Sequence, residues 1–241
     1  MNQGSEKLPS PYWLKPRGLE RFKLPATKGL WSAAEPRFSW INRPELSAVS
    51  NQNPPHQTCF AHAMCRALET KRAVAKQPAV RLDADMFHSC VLGLSCETGE
   101  RDPANIAGLL QAPGAPQATG IYRCGNPCPN VLPNLTATAR VRQVDTASDA
   151  KAALRAHWPL VALITSEARF EQVSDFSIYR DGPSPKVYHH AILLIGYDDV
   201  ANCWEVQNSY GAGWGANGRG RIAYGHASMF ADDTHVAFLV G

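Results

Sequence analysis

The strongest constraint on the fold of this chain is a change in the spacing of its apolar residues along its length. After Thr58, the residues Phe60, Ala61, Met64, Cys65, Leu68 and Ala73 recur at helical intervals, with Thr58 placed to cap the helix. DADMFHSCVLGL (83–94) and DPANIAGLLQA (102–112) predict two shorter helices, the second started by Asp102 ahead of Pro103. Between 111 and 134 proline and glycine accumulate, no period survives, and a loop is expected. Past that loop the pattern changes. ARVRQV (139–144), PLVALITS (159–166), VYHHAILLIGYDD (187–199), CWEVQNS (203–209), RIAYG (221–225) and HVAFLVG (235–241) are short and apolar, as adjacent antiparallel strands are. A helix over 148–158, capped by Ser148 or Asp149, interrupts them. Helices first and strands afterwards predict an α+β fold with one lobe of each kind.

A chain of 241 residues can form one sizeable core or two small lobes. Residues 1–35 are rich in proline and basic side chains and have no useful period, so they read as an extended leader ahead of a domain at 36–241. The N-terminal string MNQGSEKLPSPYWLKPRGLERF lacks the apolar region of a secretory signal. AILLIGY, the best apolar run, has the length of a buried strand, so no membrane span is expected. The net charge of +3 is too small to imply a nucleic-acid partner, and the expected state is a monomer. The compartment is left open.

The chemistry centres on Cys59. A free cysteine is most often a small buried hydrophobe. Cys59 instead stands at the first turn of a helix, where free N–H groups and the helix dipole stabilise a thiolate. Cys65, deeper in the same helix, lacks that advantage. His190 lies at the edge of a buried run, a position between solvent and core that suits a base. His189 is its competitor, since strand neighbours face opposite sides and only one can face Cys59. Asn208 ends the strand WEVQN, where it can orient an imidazole or simply serve a turn; Trp214 can shelter that contact from water. Gln52 can aim an amide N–H at a developing oxyanion, with Gln57 a less well placed alternative. Thiol, imidazole and amide are the minimum set for acyl transfer by a cysteine enzyme.

The strings VSNQ, TCFAHA, LDADMFHSC, HHAILLIGY and VQNSYGAGWGANGRGRI together resemble the papain/cathepsin family of cysteine peptidases over about residues 38–241. The order and spacing of Cys59, His190 and Asn208 match the papain-type pattern as a comparison. The resemblance implies two lobes, a helical left one and an antiparallel β-barrel on the right, with the cleft between them. It implies Cys59 as nucleophile, His190 as base and acid, Asn208 as orienter and Gln52 as oxyanion donor, acting on a protein or peptide substrate without metal or cofactor. By the same comparison Gly99, in a shortened glycine string, holds substrate backbone. Gln57 lies near the first subsite, His189 tunes preference, and Tyr210 stands where the family has a tryptophan over the asparagine. The leader, shorter than a folded prodomain, is a candidate intramolecular inhibitor.

The family's Cys-Gly-Ser-Cys-Trp is replaced here by His56-Gln57-Thr58-Cys59-Phe60, so the cysteine before the helix is missing and its partner, matched by Cys96, must be free or paired elsewhere. The family position of Cys90 implies a disulfide to Cys124 or Cys128. The C-x₃-C spacing of Cys124 and Cys128 also admits zinc, although two further ligands at matching spacing are lacking. The same triad can serve a deamidase or transpeptidase acting on a partner protein, and a binding module with a dead site is the non-enzyme alternative.

Overall fold

The computed structural model describes residues 19–23, 35–53, 56–97, 114–118, 122–132, 134–136, 141–183, 188–231 and 236–240. The helix expected over 102–112, Gly99 and most of the leader lie outside these residues.

The elements, in chain order, are β1 (Glu20–Arg21), β2 (Arg37–Ser39), α1 (Cys59–Val74), α2 (Ala84–Met86) running into a π-helical turn Phe87–Val91, β3 (Ala115–Pro116), β4 (Leu135–Thr136), β5 (Val141–Val144), α3 (Ala147–Ala156), β6 (Leu160–Ser166), a 3₁₀ turn Ala168–Phe170, β7 (Ile178–Tyr179), β8 (Tyr188–Asp198), β9 (Cys203–Gln207), β10 (Arg219–Ala223) and β11 (Ala237–Val240). The large sheet runs β1-β5-β11-β6-β8-β9-β10-β7, with β2 also on β8. It is antiparallel through its centre and parallel at each end, where β1 joins β5 and β7 joins β10. Helices early and a strand-rich remainder make this an α+β architecture.

α1 packs against β8, β6 and β11, and its residues from Cys59 to Thr70 are all buried. A helix enclosed on every side must satisfy its polar side chains internally. Arg66 Nη2 donates to Leu82 O at 2.8 Å and pairs with Glu69 at 2.8 Å, while Glu69 Oε1 accepts from Leu82 N at 2.6 Å. His62 Nε2 meets Asp85 Oδ1 at 3.2 Å. The polar stripe of α1 is thereby stitched to the segment leading into α2.

Two helix caps differ from expectation. Thr58 precedes α1 without a side-chain cap bond, and its hydroxyl instead donates to Asp85 Oδ1 at 3.3 Å. α3 is capped by Thr146, not Ser148 or Asp149: Thr146 Oγ1 accepts from Asp149 N and donates to the Asp149 carboxylate at 2.8 Å. Thr146 thereby satisfies one of the N–H groups left open at the start of the helix, and the Asp149 carboxylate holds its hydroxyl in place.

Disulfides join Cys90 to Cys128 and Cys96 to Cys124. With both sulfurs committed to other cysteines, the Cys124/Cys128 pair is closed to zinc. Cys96, orphaned by the missing cysteine before α1, finds its partner across the loop. Cys59, Cys65 and Cys203 are free and buried.

Of the leader, the structure describes residues 19–23 and Glu35. β1 adds to the edge of β5 with Glu20 opposite Arg142, and Phe22 is buried beside His157 with the Arg142 guanidinium over its ring. These residues belong to the sheet and do not line the cleft described below.

Candidate active site

Strand register brings the two ring-to-amide partners together. β8 pairs with β9 so that Leu193 faces Gln207, which sets Asn208 one diagonal step from His190. The turn after Asn208 is held by Gly218, whose O accepts from Asn208 N at 2.9 Å. Gly218 has φ +78°, and a Cβ there would lie 2.4 Å from Val49 Cγ1, so only glycine fits.

His190 Nε2 and Asn208 Oδ1 are 2.8 Å apart. The same Oδ1 accepts from Ser209 N at 2.8 Å, which identifies it as the carbonyl oxygen and places the hydrogen on Nε2. Nδ1 is then the nitrogen left with a lone pair. Burial pushes the His190 pKa down to about 4, against the Asn208 contact that raises it. The Tyr210 ring lies over His190 at 4.9 Å and 30°, and Phe170 meets its edge at 6.0 Å.

Cys59 is the first residue of α1 and is 8% exposed. Burial raises its thiol pKa, opposed by hydrogen bonds from the backbone N–H groups of Ala191, Phe60 and Cys59 itself. Burial therefore favours the neutral form of both thiol and imidazole.

Gln52 is anchored twice. Its Nε2 donates to His56 O at 2.7 Å, and its Oε1 accepts from Ser209 Oγ at 2.6 Å. One amide hydrogen goes to His56, and Gln52 itself forms part of the cleft wall. That cleft, about 400 Å³, is lined by Gln52, His56, Gln57, Cys59, Ser166, Glu171, Tyr188, His189, His190 and Tyr210.

Four side chains proposed for chemistry thus fall at one place, three as cleft lining and Asn208 directly behind His190. Gln57 and Tyr210 line the cleft too. His189 does so as well as His190, so alternation along β8 does not expel it; it is half-buried and His190 is 3% exposed. Trp214, expected to shelter the contact between Asn208 and the imidazole and to touch substrate beside it, does not line the cleft. It is buried with its Nε1 donating to Phe170 O at 2.7 Å, its ring 5.0 Å from Phe170, and Gly220 tight against it. Trp214 supports Phe170, and Phe170 reaches the imidazole. Sequence reasoning missed Ser209, Phe170 and Glu171. Ser209 adjoins Asn208 and is legible as a polar neighbour, whereas Phe170 and Glu171 sit in a loop without a motif.

Comparison with known proteins shows the lineage. Residues 35–238 match the model of the papain family cysteine protease. The chain belongs to that family. Fruit bromelain of Ananas comosus is 27% identical over 210 residues, covering 82% of this chain and 57% of that protein. A cysteine protease of Blomia tropicalis is 21% identical over 207 residues, covering 80% and 62%. The chain thus spans about three-fifths of the length of these curated relatives. Among solved structures, procathepsin B S9 from Trypanosoma congolense superposes with a TM-score of 0.72 at 15% identity, covering 92% of this chain and 82% of that one. The bromelain protease from Ananas comosus gives 0.68 at 21%, covering 85% and 97%. Both confirm the papain fold.

Proposed function

We propose that this papain-family chain is a cysteine endopeptidase working through Cys59, His190 and Asn208. The observation that carries the reading is the pinning of His190 Nε2 by Asn208 Oδ1 while Cys59 shares one cleft with the same ring. Nδ1 takes the Sγ proton as sulfur attacks the scissile carbonyl. The oxyanion is met by the Cys59 backbone N–H and the spare Gln52 amide hydrogen. The tetrahedral species collapses, His190 gives its proton to the leaving amine, and a thioester on Cys59 remains. Water, deprotonated by His190, then releases the acid and restores the thiol. Gln57, His189 and Tyr210 are substrate contacts in this reading. The exposed Glu171 carboxylate in the cleft favours a basic residue in the substrate.

A deamidase or transpeptidase would use the same attack on a side-chain amide. Mass spectrometry of a peptide library incubated with the protein separates the outcomes. Chain cleavage that disappears in Cys59→Ala supports the endopeptidase; a mass change without chain cleavage supports the alternative; no change in either sinks both and favours a binding module.

For residues 1–35 the inhibitory reading is a proposal that concerns residues outside 19–23. What supports a structural role for residues 19–23 is their pairing with β5 and the burial of Phe22. Deleting 1–18 alone leaves β1 intact and tests inhibition. A gain in thiol reactivity and peptidase rate supports it, and an unchanged rate refutes it for that segment.

A further inference from the structure

Distinct from the substrate cleft, a small cavity of about 10 Å³ lies between α1, β8 and the Asn208 segment. Ser50, His62, Arg66 and Asn208 are among its lining, and each is more than nine-tenths buried. Each also carries a buried side-chain atom without a hydrogen-bond partner among the described residues: Ser50 Oγ, His62 Nδ1, Arg66 Nε and Nη1, and Asn208 Nδ2. Buried polar atoms are rarely left unpaired, and a space of this size holds a single water.

The donor and acceptor pattern identifies the occupant. Asn208 Nδ2 and the Arg66 nitrogens can only donate. His62 Nε2 faces the Asp85 carboxylate at 3.2 Å and so carries the ring hydrogen, which leaves a lone pair on Nδ1. Burial lowers the His62 pKa and keeps the ring neutral, against the Asp85 contact that raises it. The occupant must therefore accept on one side and donate on the other. A halide can only accept and would face the His62 lone pair; a metal cation would face the Arg66 guanidinium.

We propose that one buried water occupies this cavity, accepting from Asn208 Nδ2 and Arg66 and donating to His62 Nδ1 and Ser50 Oγ. This water reinforces, from the Nδ2 side, the Asn208 orientation that the Ser209 N–H holds from the Oδ1 side. With Nδ2 tied to the water, Oδ1 stays on His190 Nε2; with the amide flipped, two N–H groups would oppose each other there. His62 and Arg66 are accordingly positioning residues that act on His190 through the water and Asn208. The positioning role rests on the peptidase reading, whereas the water site does not.

A crystal structure of the full chain at about 1.5 Å, from crystals grown with bromide, tests the site. The expected result is one water peak within ~2.7–3.2 Å of Asn208 Nδ2 and His62 Nδ1. An empty space, or anomalous bromide signal there, overturns it. The role is tested with His62→Leu, which removes the acceptor, and with His62→Asn, which returns one. His62→Leu should lower kcat roughly 10-fold at unchanged KM, short of the ~100-fold that follows a full ångström of misplacement. It should also move the ¹⁵N imidazole signals of His190 away from a pure Nε2–H tautomer, and His62→Asn should restore both. Should His62→Leu not fold, Ser50→Ala gives the same readouts at smaller amplitude. Unchanged kcat and unchanged His190 signals in a folded variant refute the positioning role. The water peak and the imidazole signals remain decisive even if the protein cleaves no peptide.

Discussion

Replacing Gln52 with alanine should separate chemistry from scaffold. The side chain makes two hydrogen bonds, to His56 O at 2.7 Å and from Ser209 Oγ at 2.6 Å, and it is 5% exposed. Removing it strands a buried hydroxyl and a backbone carbonyl, a stability cost of about 1–3 kcal/mol. The spare N–H, if it meets the oxyanion, is worth ~10²–10³-fold in kcat. Ser209→Ala removes only one of the two anchors, so the amide stays in place but moves more, and a loss near 5-fold is expected from one hydrogen bond of ~1 kcal/mol. The assay is steady-state hydrolysis of a fluorogenic peptide beside thermal melts of both variants. The expected result is a kcat loss in Gln52→Ala far larger than in Ser209→Ala and out of proportion to the difference in their Tm. The oxyanion role is refuted if Gln52→Ala melts earlier yet keeps kcat within about threefold, which is under ~0.7 kcal/mol of barrier.

Acid should destabilise the protein through His190. Its folded pKa of about 4 lies below the ordinary 6.5, so the unfolded chain binds the extra proton, and stability present above pH 6.5 is lost as pH falls through 4. Tm measured across that window should fall less steeply in His190→Gln than in the wild type; parallel curves would contradict the assignment. His62 and His88, also lowered by burial, steepen the same limb in both proteins. Phe22→Ala should cost about 3 kcal/mol by chemical denaturation, since the ring is 5% exposed in a pocket formed with β5; a cost near zero would show that β1 contributes nothing to the body. Cys90→Ser opens a disulfide spanning 38 residues and should cost about 2–4 kcal/mol, read as a lowered denaturation midpoint; an unchanged midpoint would show that this bridge adds no stability. Glu171→Gln should raise KM for peptides with a basic residue near the cleavage point and spare neutral ones; equal effects on both would remove Glu171 from recognition.

Much of this site is legible in the amino-acid sequence because its parts sit on regular elements. Apolar spacing marks α1, and Cys59 stands out by opening it. The runs that form β6, β8, β9, β10 and β11 are visible because buried strands concentrate apolar residues. What the sequence hides depends on contacts distant along the chain. Thr58 makes no cap bond and instead turns its hydroxyl to Asp85, 27 residues on. Trp214 is turned inward by Phe170 and Gly220, so proximity of its motif to Asn208 does not translate into a place in the cleft. The Ser209 hydroxyl matters because Gln52 folds back onto it from 157 residues earlier. The edge pairing of β1 cannot be read from two residues without a period.

In the proposed mechanism Cys59 carries a covalent acyl intermediate while His190 moves its proton. Rapid acid quench of the protein with an activated peptidyl ester, followed by intact mass and peptide mapping, tests this most directly. The expected result is one acyl group per chain, mapped to Cys59 and absent in Cys59→Ala and His190→Ala, with Cys65 and Cys203 unmodified. Turnover of the ester with no adduct at Cys59, or turnover that survives Cys59→Ala, would contradict it.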